Sequence, residues 1–378
     1  MTSKSSNGLY IHIPFCAAKC DYCDFLSFAD KQNQWTPYKD ALIAELSKYN
    51  SNIPIDTIYI GGGTPTVWPA SFLSELFQAL PPTLSNAEIT CEANPGTLTT
   101  EKISVLSSNG VNRISLGLQA CQPRLLEKIG RQTAYETFLE NFYELRRAGF
   151  NNINIDIMFA LPHQKLADWE ETLHHIVALK PEHISAYALT PEKNTPLWSS
   201  YGENICDEET DRLMYHRCKA FLQECGYVQY ELSNFCKPGY ESRHNLRYWT
   251  RKPYLGFGLG AHSFDGQVRW HNTTDLQLYL VDNLVNNKTP FSDQTRHDRI
   301  PITKAEAMAE FMFLGLRMTN GVSVAAFLEA FDQCPHEIYG PWISQMKTDS
   351  LLQEKNEHIF LTDYGMDLAN RVMAGFLE

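Results

Sequence analysis

No run of about 18 consecutive apolar residues occurs in this chain, so it offers no candidate membrane-spanning helix. Positive charge is scarce. Lys and Arg number 32 against 44 Asp and Glu, a formal charge of −12. Proteins that grip nucleic acid do so through Lys and Arg at phosphates, so no nucleic-acid partner is expected. The opening MTSKSSNG lacks the apolar core of a secretory signal. A cytoplasmic location is therefore expected, where thiols stay reduced. Internal repeats and low-complexity linkers are absent too. Ten cysteines in 378 residues are too few for a disulfide scaffold. With 43% hydrophobic and 20% charged residues, the chain is an ordinary globular one. At roughly 150 residues per domain, two or three domains are expected.

What the sequence does have is a local concentration of thiols. Cys16, Cys20 and Cys23 fall within eight residues, and the other seven cysteines are scattered. In a reducing compartment such a group points to metal or redox chemistry. Soft thiolates select zinc or iron–sulfur clusters. Structural zinc wants four ligands, commonly as two pairs; here three close thiols have no second pair. A [4Fe–4S] cluster held by three cysteines keeps one iron open for a small ligand. Two plainer readings stand beside it: a zinc site completed by His12 or a distant residue, and chance clustering of buried cysteines. Cys91, Cys121 and Cys225 read as core residues.

Six short segments rich in β-branched and apolar residues, 9–14, 57–63, 88–94, 113–119, 152–162 and 183–191, alternate with helical patterns. One helix carries Tyr135, Phe138, Leu139, Phe142 and Leu145 at helical spacing, with Gly149 where a C-cap belongs. A second carries Trp169, Leu173, Ile176 and Val177. The acidic run Asp207–Glu208–Glu209 opens a third. This alternation predicts a parallel sheet with helices outside. Six units are too few for a closed eight-stranded barrel. The expected fold is α/β, a partial, three-quarter (β/α)6 TIM-like barrel or else a doubly wound sheet, with its chemistry at the C-terminal strand ends. The cysteine loop, Gly61–Gly62–Gly63–Thr64, Glu92, Gln119 and Asp156 fall in or at the ends of those strands. The glycine run exposes backbone to a ligand or simply makes a tight turn. Residues 1–235 are expected to form the barrel and 236–299 a connecting region. Residues 300–378 are expected to form a small winged-helix-like domain.

The stretch from Tyr10 to Cys23, with Gly61–Gly62–Gly63–Thr64–Pro65, resembles the radical S-adenosylmethionine (SAM) enzymes. The resemblance implies that Cys16, Cys20 and Cys23 hold a [4Fe–4S] cluster whose open iron is chelated by SAM. The reduced cluster then cleaves SAM to a 5′-deoxyadenosyl radical. It implies that Gly62, Gly63 and Thr64 cradle the SAM amino group. Glu92, Gln119, Arg131 and Asp156 match SAM-contacting positions, and Tyr10 and Tyr22 belong to the same cofactor site. Read on their own, Glu92 and Asp156 are equally well satisfied carboxylates inside a barrel, paired with Arg113 or Arg131.

Over nearly the whole chain, IHIPFC, GGGTPT, CEANP, RISLGLQ, NIDIMFALP and the C-terminal part resemble the oxygen-independent coproporphyrinogen III oxidases. Two departures stand out. Phe25 takes the place of a cysteine that the oxidases carry two residues after the third cluster cysteine. Only nine residues precede Tyr10, where the oxidases have a longer extension. Both departures resemble the HemW branch, described as haem chaperones. HNLRYW, from His244 to Trp249, resembles that branch's HNxxYW signature. This implies a haem site with His244 as ligand, Tyr248 and Trp249 flanking the macrocycle, and Arg243 or Arg247 at a propionate. The plain reading is a loop histidine capping local structure beside a packed aromatic pair. His262 is expected to line the barrel mouth. The function expected from the resemblance is a haem chaperone with a cluster and SAM. Its partners would be haem, an electron donor and haem-accepting proteins, some respiratory, with peripheral membrane attachment. An oxidase that decarboxylates two propionates is the alternative, and a zinc-stabilised binding module is a third.

Overall fold

The computed structural model describes residues 6–49, 52–285 and 296–377. Six strands, β1 (Asn7–Ile13), β2 (Ile55–Gly62), β3 (Glu88–Ala93), β4 (Arg113–Gln119), β5 (Ile153–Phe159) and β6 (His183–Ala188), pair side by side in sequence order, all parallel. They coincide with the six apolar segments because strands buried on both faces read as nearly continuous apolar runs. Helices connect them, among them Trp35–Ser47, Tyr135–Arg147 and Leu166–Ala178. Gly149 closes the second of these helices at φ +90, where glycine is unstrained.

Two short strands, β7 (Val228–Gln229) and β8 (Asn234–Cys236), extend the β6 edge in antiparallel sense. At the other edge β9 (Tyr254–Phe257) lies parallel to β1. Beyond it β10 (His262–Phe264), β11 (Val268–Asn272) and β12 (Arg296–Pro301) run antiparallel. All twelve form one sheet, and its two end strands do not pair among the described residues. The barrel is therefore partial, as expected. Within 236–299, expected as a connecting region, β9 to β11 join the main sheet. Their short lengths of four, three and five residues left no periodicity to read.

One apolar core fills the space between sheet and helices. Trp169 is fully buried, its ring 5.4 Å from that of Phe159, and its Nε1–H donates to Met214 O at 2.9 Å. Glu45 ties the first helix to the β9 edge by accepting from Gly258 N–H, Tyr279 O–H and Asn272 Nδ2–H. Cys91 and Cys121 are buried as expected, but Cys225 is exposed at a helix end, outside the core.

The C-terminal part has its own core around Met312, Phe327, Ile343 and Ile359. Helices Lys304–Gly315, Val324–Phe331 and Pro335–Thr348 pack on a small sheet of β13 (Val322–Ser323), β14 (Leu352–Lys355) and β15 (His358–Leu361). The arrangement is winged-helix-like. Pro341 inside the last helix hid it from periodicity.

Phe15 is fully buried against Tyr38, ring centroids 5.2 Å apart, and immediately precedes Cys16. Phe15→Ala is expected to cost about 3–5 kcal/mol of stability, seen as a lower denaturant midpoint at unchanged slope. A loss below about 1 kcal/mol would mean that this ring does not anchor the loop.

Candidate functional site

The segment between β1 and the first helix has almost no regular structure, so single hydrogen bonds hold it. Cys16 N–H donates to Phe28 O at 3.0 Å, and Phe28 N–H donates to Pro14 O at 2.7 Å. His12 Nε2 bonds Leu26 O at 2.9 Å. From the end of β2, Gly63 N–H donates to Ile13 O at 2.9 Å and Thr64 N–H to Phe15 O at 2.7 Å. Gly62 sits at φ +118, and a Cβ on Gly63 would come within 2.9 Å of Cys16 Sγ and 2.5 Å of Phe15 O. Glycine is required here by both conformation and contact.

A cavity of about 470 Å³ opens at these strand ends. Cys16, Cys20 and Cys23 line it together with Tyr22, Gly62, Gly63, Thr64, Glu92, Gln119, Arg131 and Asp156. Tyr10, expected at this site, does not line it, and neither does His244, expected as a haem ligand elsewhere. Tyr10 lies beneath, its ring 6.3 Å from that of Tyr59, which does line the cavity.

Asn94 was missed. Its Nδ2 donates to Thr64 Oγ1 at 2.7 Å, and its Oδ1 accepts from Arg131 Nη2 at 2.7 Å. Arg131 also donates to Gly117 O at 2.6 Å, and its Nη1 lies 3.8 Å from Cys20 Sγ. Arg131 thus straps the cysteine loop to β3 and β4. Asn94 stands two residues after Glu92, on the same face by strand alternation, and that spacing was the available signal. Gln119 has φ +73 at a register slip between β4 and β5, a bulge that re-aims its side chain at the cavity.

The two carboxylates are satisfied differently from expectation. Glu92 accepts from Tyr59 O–H at 2.7 Å and Gly62 N–H at 3.1 Å. Asp156 accepts from Ser115 O–H at 2.9 Å and Asn154 Nδ2–H at 2.8 Å. Among the described residues neither forms an ion pair with Arg113 or Arg131. Burial pushes the Glu92 carboxyl up to about 7, with nearby Asp156 adding to it and the Tyr59 hydrogen bond opposing. Burial raises Asp156 as well, against its hydrogen bonds from Ser115 and Asn154.

Burial also pushes the thiols of Cys16 and Cys23 up, so a metal that takes them must displace protons. His12, one candidate for a fourth zinc ligand, has both ring nitrogens bonded, to Tyr10 O–H and Leu26 O, and does not line the cavity. Among the described residues no three His, Cys, Asp or Glu side chains gather round one ion position. Three thiols around a roomy cavity, with exposed Phe25 and no fourth thiol lining it, fit a cluster held at three corners.

HNLRYW lies at the opposite end of the barrel. It forms helix Arg243–Trp249, whose first amides, Arg243 N–H and His244 N–H, donate to the Glu88 carboxylate at 3.0 Å. His244 is fully buried; its Nδ1 bonds Thr57 Oγ1 at 2.9 Å and its Nε2 bonds the Tyr248 hydroxyl at 2.8 Å. Burial and the charges of Arg247 and Arg113 push it down to about 3, so it is neutral. In this fold neither ring nitrogen is free, which is the plain reading of the motif, on a helix instead of a loop. The expectation that Arg247 or Arg243 waits for a propionate is corrected. Arg247 pairs with Asp56, and Arg243 Nη1 donates to Asn86 O at 2.6 Å. Thr57 and Glu88 sit near the N-terminal ends of β2 and β3. Thr57 to Gly62 is five strand steps, about 16 Å from the cluster end. His262 does not line the cavity either; its ring lies 5.0 Å from that of His271.

A family profile described as the Radical SAM superfamily matches residues 10–176, and one described as the HemN C-terminal domain matches residues 302–368. The chain is 35% identical over 378 residues to Heme chaperone HemW of Bacillus subtilis, covering 97% of this chain and 98% of that protein. The chain belongs to the HemW family. It is also 37% identical to Heme chaperone HemW of Escherichia coli, covering 98% of each. Among solved structures, coproporphyrinogen III oxidase (HemN) from Escherichia coli, described as a radical SAM enzyme, superposes with a TM-score of 0.85. That match has 20% identity over 99% of this chain and 90% of the other, a likeness of fold. No described helix is long and apolar enough to cross a membrane.

The raised Glu92 gives a pH signature. A carboxyl whose folded pKa exceeds its ordinary value of 4.5 favours folding while protonated, and that contribution is lost as pH rises through about 7. Metal-free protein is therefore expected to lose denaturant stability between roughly pH 5 and 7.5, and Glu92→Gln to show a shallower fall. Equal slopes for both proteins would contradict the assignment.

Proposed function

We propose that this chain is a haem chaperone that carries a [4Fe–4S] cluster on Cys16, Cys20 and Cys23 with SAM beside it. It hands haem to acceptor proteins and draws electrons from a donor protein. The observation that carries the reading is likeness over almost the full length, at 35% and 37% identity, to proteins named haem chaperones. The cavity residues support the cofactor part. Gly62, Gly63 and Thr64 offer backbone and hydroxyl groups beside Cys16, while Glu92, Gln119, Arg131 and Asp156 offer polar contacts around the remaining space. Bound there, cluster and SAM supply one-electron chemistry. The oxidase alternative is not favoured, because Phe25 occupies the edge of this cavity where the resemblance places a further oxidase cysteine.

Haem ligation by His244 belongs to the same proposal. The ring is neutral, the form that binds metal. Iron would replace Tyr248 as the partner of Nε2.

Anaerobic reconstitution is expected to load one [4Fe–4S] cluster per chain, and haem titration to give a saturable one-to-one Soret band. His244→Ala is expected to weaken haem binding. Tyr248→Phe removes a competing hydrogen bond worth about 1 kcal/mol, so it is expected to tighten haem several-fold. Absence of saturable binding would refute the cargo. Unaltered binding in both variants would refute His244 as the ligand and leave the cargo standing.

A further inference from the structure

A second cavity, of about 210 Å³, lies where the barrel meets the C-terminal domain. Its polar wall is Arg251, Lys252, Arg269 and Glu310, and its apolar wall includes Tyr248 and Phe264. Three cations face one carboxylate, in a protein whose overall charge is −12. Glu310 accepts from Arg251 Nε at 2.6 Å and Arg269 Nη1 at 2.7 Å. Both guanidinium groups lie over the Phe264 ring, at 4.8 and 5.3 Å. Arg251 keeps a buried Nη2 with no hydrogen-bond partner. A buried donor without an acceptor is costly, and a charged one more so. Arg251 is also held at φ +54, a strained backbone for a residue with a side chain. Strain, an idle charged donor and surplus positive charge converge on one aromatic-walled space.

We infer that this junction cavity is a carboxylate-anchoring site for the cargo, taking a propionate arm of haem. The inference rests on the haem-cargo reading above. The cavity holds the volume of about seven waters at ~30 Å³ each, enough for a carboxylate arm and too little for a macrocycle. The arm's carboxylate takes the idle Nη2 of Arg251 and the ammonium of Lys252, while Glu310 keeps the Nε side. The macrocycle edge meets the aromatic wall at Tyr248, whose hydroxyl bonds His244. Anchor and proposed iron ligand are therefore neighbours.

The test compares haem with haem dimethyl ester, in which both propionates are esterified. Binding to the full-length, cluster-loaded protein is followed by the Soret band. Wild type is expected to bind haem about tenfold more tightly than the ester, as charge-assisted hydrogen bonds are worth. Arg251→Gln is expected to abolish that preference by weakening haem alone. Arg251 also holds Glu310, so the exposed Lys252→Gln is the second variant. It leaves the Glu310 pairs intact and is expected to reduce haem affinity several-fold with no change for the ester. A wild type that does not distinguish the two compounds overturns the site, as does a preference that survives both substitutions. A wild type that takes up neither compound overturns the haem-cargo reading itself, and this assignment with it.

Discussion

The position of three thiols depends on hydrogen bonds that a loop cannot supply for itself. The cysteine segment has no ladder of its own, so neighbouring strand ends fix it. The amides of Gly63 and Thr64 reach the carbonyls of Ile13 and Phe15, His12 reaches Leu26, and Arg131 reaches past Asn94 and Gly117 towards Cys20. Each anchor uses a group at the C-terminal end of a parallel strand. A parallel sheet aligns all such ends on one rim, and loops placed there share one space. The barrel stays open, and the glycine cradle, the cysteine loop and the polar side chains of β3 to β5 still converge.

Much of this was legible in the sequence. The six parallel strands were visible because they are buried on both faces and read as unbroken apolar runs. The rim was visible because unusual residues interrupt those runs at their ends. What escaped was short or two-sided. β9 to β11 are too brief for a period, and Pro341 masks a helix that the surrounding core enforces. Asn94 has no distinctive chemistry; its spacing from Glu92 hints at the cavity face, and its contacts with Thr64 and Arg131 mark its role. The partners of Glu92 could not be read either, since a carboxylate in a barrel can choose among many donors. The resemblance assigned Tyr10 to the cofactor site and His244 to a separate haem site, and the structure lines the cavity with neither. Tyr10 lies one layer down, and His244 lies at the far end of the barrel.

The HNLRYW helix joins more of the molecule than a ligand-binding loop would. Glu88 caps its amides, Asp56 pairs with Arg247, Thr57 bonds His244, and Arg317 of the C-terminal part stacks on Trp249 at 4.3 Å. Its histidine is a structural keystone in this fold, and any role in gripping iron must compete with those bonds. Burial explains both behaviours. It keeps the imidazole neutral, hence a good donor to a metal, and it makes idle nitrogens expensive, hence fully bonded.

The two ends of the barrel are linked by touching groups. Glu92 in the cluster cavity holds the Tyr59 hydroxyl, the Tyr59 ring lies 5.3 Å from the His244 ring, and His244 bonds Tyr248 at the domain junction. Cofactor and cargo placed at these ends do not compete for space, so their influence on one another is a matter of thermodynamic linkage. By reciprocity, whatever factor an occupied nucleoside pocket applies to tetrapyrrole affinity, the tetrapyrrole must return to the nucleoside. A carrier wired this way would sense its own loading state without bringing its two ligands together.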